Sequence, residues 1–273
     1  MGSSSVPSLP PIREVIISHG LNTKKSLGQH FLLDRNLTDR IARNAKVENR
    51  IVVEIGPGPG ALTRSLLAQN VAQLIAIEKD QDCVAALGAL KTLYKDRLHI
   101  LEADALAVKF GALSPDPICI VSNLPYNVST PLLLHLLKQI SQIHSMTLMF
   151  QKEVADRLIA RPSTKAYGRL SVMTQWLCDT RHLFNVDKKA FVPPPKVMSS
   201  VISLRVRPEP LAPANWHALE KITAAAFNQR RKMLRSSLKA YQIDFTTLNI
   251  DPELRAENLS VEQFCLMAQA ISP

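Results

Sequence analysis

Thirteen residues constrain the fold of this chain more than any others: Ile51-Val52-Val53-Glu54-Ile55-Gly56-Pro57-Gly58-Pro59-Gly60-Ala61-Leu62-Thr63. The β-branched run from Ile51 to Ile55 reads as a buried strand, and helix-forming residues resume after the third glycine. Strand, glycine loop and helix in that order open an α/β sheet. Glycine is required where the backbone bends sharply and approaches a ligand, and the helix N-terminus that follows favours a carboxylate. A dinucleotide loop spaces its glycines Gly-x-Gly-x-x-Gly, whereas here they fall at 56, 58 and 60. The spacing leans away from NAD and toward S-adenosylmethionine. An ordinary tight strand-to-helix turn would use the same residues.

Three more strand tips extend the pattern. Gln73-Leu74-Ile75-Ala76-Ile77-Glu78 is an apolar strand ending in an acid about 20 residues beyond the loop, where a carboxylate can take both ribose hydroxyls. Leu98-His99-Ile100-Leu101 is followed by Asp104, placed either for the cofactor's adenine amine or simply as a helix N-cap. Ile118-Cys119-Ile120-Val121 delivers Asn123. A glycine loop, two acids and an amide thus share the carboxyl edge on which open α/β sheets bind ligands.

The tip Val121-Ser122-Asn123-Leu124-Pro125-Tyr126-Asn127-Val128-Ser129 supplies chemistry for methylating an amino nitrogen on a flat base. An exocyclic amine is a poor nucleophile because its lone pair is delocalised into the ring. The Asn123 amide oxygen can accept one of its N–H groups, and the Leu124 carbonyl, freed from any ladder by Pro125, can accept the other. Tyr126 offers a face for an unpaired base, a contact worth about 1–3 kcal/mol. The ammonium formed on methyl transfer is strongly acidic, so positioning and electrostatics suffice and no dedicated base is needed.

Beyond the tip the reading gives a fifth strand over 146–150, a helix over 152–160, a second helix over 167–177 and strands near 182–186 and 200–206. The last two form a terminal hairpin on an otherwise parallel sheet. Phe191, in the proline-rich loop between them, is expected to face the target base opposite Tyr126, unless it merely plugs the sheet edge. After Pro208-Glu209-Pro210-Leu211-Ala212-Pro213 the composition shifts to helix formers, which marks a domain boundary. Between Lys221 and Lys239 there is no acid, while Arg231, Arg235 and Lys239 recur at helical spacing beside an apolar stripe of Leu234, Leu238 and Tyr241. Such a face is either solvated or, as its uncompensated charge suggests, an RNA-backbone contact shared with Lys24 and Lys25.

A formal charge of +10 over 273 residues favours a polyanionic partner without naming it. Cys83, Cys119, Cys178 and Cys265 stand apart, with no spacing for zinc or a disulfide frame, so a reducing cytoplasm and no metal are expected. No apolar run reaches the ~18 residues that span a bilayer, and no membrane association is expected. Residues 1–23 are expected to be a flexible leader.

Seven segments together carry a resemblance. They are Lys24-Lys25-Ser26-Leu27-Gly28-Gln29-His30-Phe31-Leu32, Glu54-Ile55-Gly56-Pro57-Gly58, Asn123-Leu124-Pro125-Tyr126-Asn127, Gln151-Lys152-Glu153-Val154, Ala166-Tyr167-Gly168-Arg169-Leu170-Ser171-Val172, Phe191-Val192-Pro193-Pro194-Pro195-Lys196-Val197 and Ala226-Phe227-Asn228-Gln229-Arg230-Arg231-Lys232. From about Lys24 onward the chain resembles the ribosomal RNA adenine N6-dimethyltransferases, in particular the bacterial small-subunit branch. The resemblance implies a Rossmann-like, seven-stranded class I S-adenosylmethionine-dependent methyltransferase fold over 24–207 and a small all-α RNA-binding domain over 208–273. It implies N6,N6-dimethylation of two adjacent adenosines in the 3′-terminal hairpin loop of 16S rRNA within the small (30S) subunit, during ribosome biogenesis; a monomer off the ribosome is expected, though the sequence itself leaves the oligomeric state open. Cofactor contacts carry over to His30, Leu32, Gly56, Glu78, Asp104 and Asn123, joined by Gly58 of the glycine loop. His30 departs from the asparagine of many relatives, though an imidazole nitrogen can still bond the methionine moiety. Asn123, Leu124, Pro125, Tyr126 and Phe191 form the catalytic set, and Lys24, Lys25, Arg230, Arg231, Lys232 and Arg235 the RNA contacts. A resistance enzyme acting on 23S rRNA would share the catalytic motifs, and a small-subunit assembly factor with secondary catalysis would share the RNA contacts.

Overall fold

The computed structural model describes residues 9–23 and 29–271, so Lys24 and Lys25 lie outside the described residues. The helix α1 (Ile12–Ser18) precedes the short strand β1 (Phe31–Leu32) and α2 (Arg35–Ala45). Then come β2 (Ile51–Ile55), α3 (Ala61–Leu67), β3 (Gln73–Glu78), α4 (Gln81–Ala86), α5 (Gly88–Leu93) and β4 (Leu98–Glu102). The strand β5 (Ile118–Asn123) leads to α6 (Ser129–Lys138), β6 (Ile143–Gln151), α7 (Lys152–Leu158) and α8 (Arg169–Leu177). The strands β7 (Cys178–Val186), β8 (Phe191–Val192) and β9 (Ser199–Val206) follow, and the chain closes with α9 (Trp216–Asn228), α10 (Leu234–Ser237) and α11 (Val261–Ala270).

Seven strands form one sheet in the order β4-β3-β2-β5-β6-β9-β7, with β4 to β6 parallel and β9 set between β6 and β7 as the antiparallel closure. The β-branched runs become strands because both sheet faces are covered, so Val52, Val53, Leu74, Cys119 and Ile120 have almost no exposed surface. From β2 the chain winds outward through β3 and β4, and then returns to the other side of β2 to begin β5. The order reverses between β2 and β5, and a crevice opens outside the carboxyl ends of strands at such a point. Glu54 is in register with Val121, which sets Gly56 and Asn123 on either lip of that crevice.

The chain groups into two compact units, one running through Gln151 and including Leu183–Val201, the other comprising Lys152–His182 and the chain from Ile202 onward. The first contains a structure that the sequence did not signal. Where a flexible leader was expected over 1–23, residues 12–18 form α1, and Val15 and Leu21 are buried in a cluster with Phe31, Cys83 and Ala86. The strand β1 pairs antiparallel with β8, matching Phe31 to Val192 and Leu32 to Phe191.

The second unit is helical apart from its strand segments. Phe227 stacks on Phe264 at 5.3 Å and meets Tyr167 edge-on at 6.0 Å, and Leu219, Ile222 and Met267 of the same unit are fully buried. The continuous basic helix expected through Arg231, Arg235 and Lys239 is not formed. The helix α9 ends at Asn228, α10 has one turn, and Lys239 begins a separate 3₁₀ turn, so the three cations share no helical face. Tertiary bonds override the helical spacing: the Leu234 and Arg235 amides donate to the carbonyls of Leu254 (2.8 Å) and Pro252 (3.1 Å) rather than to a preceding turn.

Candidate active site

The glycine loop after β2 turns with positive φ at all three glycines, +68° at Gly56, +54° at Gly58 and +89° at Gly60. At Gly58 a Cβ would press on the Phe31 ring at 3.2 Å, and at Gly60 it would lie 2.8 Å from both Leu87 and Leu90, which would have to shift. The Gly58 amide points at the end of β3 and donates to Glu78 Oε2 at 3.0 Å. Glu78 Oε1 accepts from the Lys79 and Asp80 amides at 2.8 and 2.9 Å. A carboxylate has about four acceptor positions, and three are taken. Oε2 accepts only one of these bonds, which leaves it room to accept from a ribose hydroxyl. Burial raises the pKa of Glu78 and the three amides oppose that shift.

Asp104 takes the capping role considered for it and also faces the cavity. Its Oδ1 caps a 3₁₀ turn by accepting from the Leu106 amide at 3.0 Å, and its Oδ2 accepts from Lys79 Nζ at 2.8 Å while still lining the cavity. The bond from Lys79 is the main reason its pKa lies below the ordinary value.

On the other lip Pro125 lies over the glycine loop, 3.8 Å from where a Gly56 Cβ would project. Asn123 Nδ2 donates to the His30 carbonyl at 3.1 Å. A carbonyl can only accept, so this bond fixes the amide and leaves Oδ1 as the free acceptor. That oxygen is buried and has no hydrogen-bond partner. A fixed, unpartnered acceptor at a cavity wall is what alignment of an incoming amine requires. The Tyr126 hydroxyl is bonded to Ser199 Oγ at 2.5 Å, which sets the plane of the half-buried ring.

His30, Leu32, Gly56, Gly58, Glu78, Asp104, Asn123, Leu124, Pro125 and Tyr126 all line one cavity. Phe191 stands apart from them. It is 1% exposed, belongs to the apolar core and meets Tyr126 edge to face, 6.5 Å between centroids and 70° between planes. The two rings therefore present no parallel slot, and Phe191 is packed as a core side chain. The glycine cradle, the remaining acceptor on Glu78 and the free Asn123 oxygen fit a cofactor with ribose hydroxyls beside an amino substrate.

Sequence reasoning missed Glu54. It sits mid-strand at 1% exposure and lines the same cavity, and its Oε2 finds no hydrogen-bond partner. Burial, reinforced by the neighbouring Glu78 and opposed by the Thr63 hydroxyl, raises its pKa to about 8. A lone acid inside an otherwise apolar strand was the signal. Ser199, which orients Tyr126, gave none.

Among the proposed RNA contacts, Arg231 and Lys232 are exposed. The Arg230 guanidinium instead donates to the carbonyls of Tyr167 (2.8 Å) and Lys165 (3.0 Å) and pairs with Glu257 at 3.3 Å. Arg235 pairs loosely with Glu253 at 3.5 Å, both side chains being well exposed. Among the described residues no group of three or more His, Cys, Asp or Glu is arranged to hold a metal ion. Nor is any helix among them long and apolar enough to cross a membrane.

The chain matches the model of the family described as ribosomal RNA adenine dimethylase over residues 20–272. It is 52% identical to a ribosomal RNA small subunit methyltransferase A of Rhodospirillum rubrum, covering 96% of this chain and 93% of the relative. Among solved structures it is similar to a dimethyladenosine transferase of Plasmodium falciparum, with TM-score 0.76 and 26% identity over 88% of this chain and 96% of that one. It is also similar to the 23S rRNA methyltransferase ErmE, with TM-score 0.67 and 26% identity over 88% and 99%.

Proposed function

Because the chain belongs to the ribosomal RNA adenine dimethylase family, we propose that it dimethylates N6 of two adjacent adenosines in the 3′-terminal hairpin loop of 16S rRNA within the small ribosomal subunit. It is an S-adenosylmethionine-dependent methyltransferase. The observation that carries the reading is the Asn123 amide, held through its nitrogen and free at a buried oxygen.

Gly56 and Gly58, with Glu78, Asp104 and Leu32, would hold S-adenosylmethionine, which supplies an activated methyl group when bound. The rest is performed by the chain itself. Tyr126, its plane set by Ser199, stacks the unpaired base. Asn123 Oδ1 and the Leu124 carbonyl accept the two N–H groups of the amine and turn its lone pair toward the cofactor side of the crevice. Pro125 keeps the tip out of the ladder so that the Leu124 carbonyl stays available.

Residues 24–207 carry the methyltransferase function in this reading, and 208–273 contact RNA through Arg231 and Lys232, with Arg230 as their support, Arg235 beside them, and Lys24 and Lys25 contributing from the N-terminal side. Small-subunit specificity is supported by the 52% identity to the Rhodospirillum rubrum small-subunit enzyme over nearly the whole chain. We place the reaction in the cytoplasm, in keeping with four buried cysteines that form no disulfide, and take the enzyme off the ribosome to be a monomer.

The test is methyl transfer from labelled S-adenosylmethionine to under-methylated small subunits, with large subunits, naked rRNA and duplex DNA in parallel, followed by nucleoside mass analysis. Dimethyladenosine with small subunits alone is the expected result, and label in large-subunit RNA would overturn it. Asn123→Ala should lose activity by at least about a hundredfold while subunit binding changes little. Equal losses would contradict the aligning role.

A further inference from the structure

His30 stands at the junction of three segments that make the substrate side of the site. Its carbonyl holds the Asn123 amide at 3.1 Å, and its ring Nδ1 lies 2.7 Å from the Pro193 carbonyl. That carbonyl can only accept, so Nδ1 carries the proton and donates. The imidazole also packs on Tyr126, with centroids 5.2 Å apart and planes at 33°, and meets Phe191 edge-on at 6.4 Å. One residue therefore ties the 191–195 loop to both members of the acceptor tip, the amide through its backbone and the aromatic ring through its side chain. The adjacent pairing of Phe31–Leu32 with Phe191–Val192 fixes the same two segments in register, and the His30 bond continues that connection toward Asn123.

We propose that His30 is a positioning residue for the acceptor tip: by donating to Pro193 it holds the 191–195 loop against Tyr126 and keeps its own carbonyl where it orients Asn123. The inference rests on the methyltransferase reading, and it differs from the cofactor contact that family resemblance assigns to this position. A side chain that touches the cofactor sets its affinity, whereas one that holds the acceptor tip sets the rate of the bound complex. Asparagine offers a clean separation, because its Nδ2 is the same number of bonds from the backbone as histidine Nδ1. It can donate to Pro193 without supplying a ring.

The experiment compares wild type, His30→Ala and His30→Asn on under-methylated small subunits. It measures kcat, KM for subunits, and the Kd of S-adenosylmethionine by calorimetry, with thermal melting as a check on folding. His30→Ala is expected to lower kcat at least about tenfold, the scale on which small misplacements act, while cofactor Kd stays within about twofold. His30→Asn is expected to recover most of that loss. A weakened cofactor Kd with unchanged kcat would overturn the proposal in favour of a cofactor contact. Equal losses in the two variants would overturn the role of the bond to Pro193. An inactive wild type would instead count against the methyltransferase reading, which keeps the two failures distinct.

Discussion

Replacing Glu54 by glutamine tests the electrostatics of the crevice most directly, because the side chain is almost wholly buried and one of its oxygens is unpartnered. Its folded pKa is raised from 4.5 to about 8. Below the unfolded value both states hold the proton and the group contributes no pH dependence. Between the two values the unfolded chain has released its proton while the folded protein keeps it, so stability falls as pH rises, by about 1.4 kcal/mol per unit. By pH 7 the accumulated loss is on the order of 3 kcal/mol, an upper figure since water and local relaxation reduce it. Glutamine has nearly the same shape and no proton to lose. Glu54→Gln should therefore match wild type near pH 5 and exceed it progressively up to pH 8. Urea unfolding followed by circular dichroism at pH 5, 6, 7 and 8 is the suitable assay. Tryptophan fluorescence is less suitable, because Trp176 and Trp216 both lie in the other compact unit. Two curves that stay parallel over this range would refute the reasoning.

Three further outcomes are expected. Gly60→Ala places a Cβ 2.8 Å from Leu87 and Leu90 at a φ of +89°; it should destabilise by roughly 1–3 kcal/mol, and an unchanged melting temperature would exclude the packing argument. Ser199→Ala and Tyr126→Phe remove the same hydrogen bond; each should lower kcat by about two- to tenfold, and the double variant should lose no more than the worse single one, whereas additive losses would separate the two residues. Arg230→Ala should lower melting temperature, as it deprives two carbonyls of a donor. Arg231→Ala should leave melting unchanged and reduce the salt slope of subunit binding by about one; the reverse assignment would refute the division between support and contact.

The catalytic edge was legible in the sequence because each of its parts is local. A β-branched run makes a buried strand, a glycine triplet makes the turn, and the next polar residue must fall on the carboxyl edge. Gly56, Glu78, Asp104 and Asn123 could be placed on one cavity for that reason alone. What escaped depends on contacts between distant segments. The pairing of Phe31–Leu32 with Phe191–Val192 has no periodic signature in strands of two residues. The bond from Ser199 to Tyr126 joins positions 73 residues apart. Helical spacing at Arg231, Arg235 and Lys239 misled because carbonyls of Pro252 and Leu254 claim the amides that a continuous helix would use. Phe191 was ambiguous from the start, since an aromatic beside a site and an aromatic beneath it read alike.

The position of β9 bears on how the chain is made. It lies between β6 and β7 although it is the last of the seven to be synthesised. A nascent chain that has emerged only as far as β7 can assemble the parallel strands that bear the crevice, but β6 still presents an unpaired edge and β7 has no neighbour to join. Both gain their partner in one event, when Ser199–Val206 inserts. Until then the growing polypeptide carries an open strand edge of the kind that templates aggregation. Truncation before Ser199 should consequently yield an insoluble product rather than a smaller soluble methyltransferase.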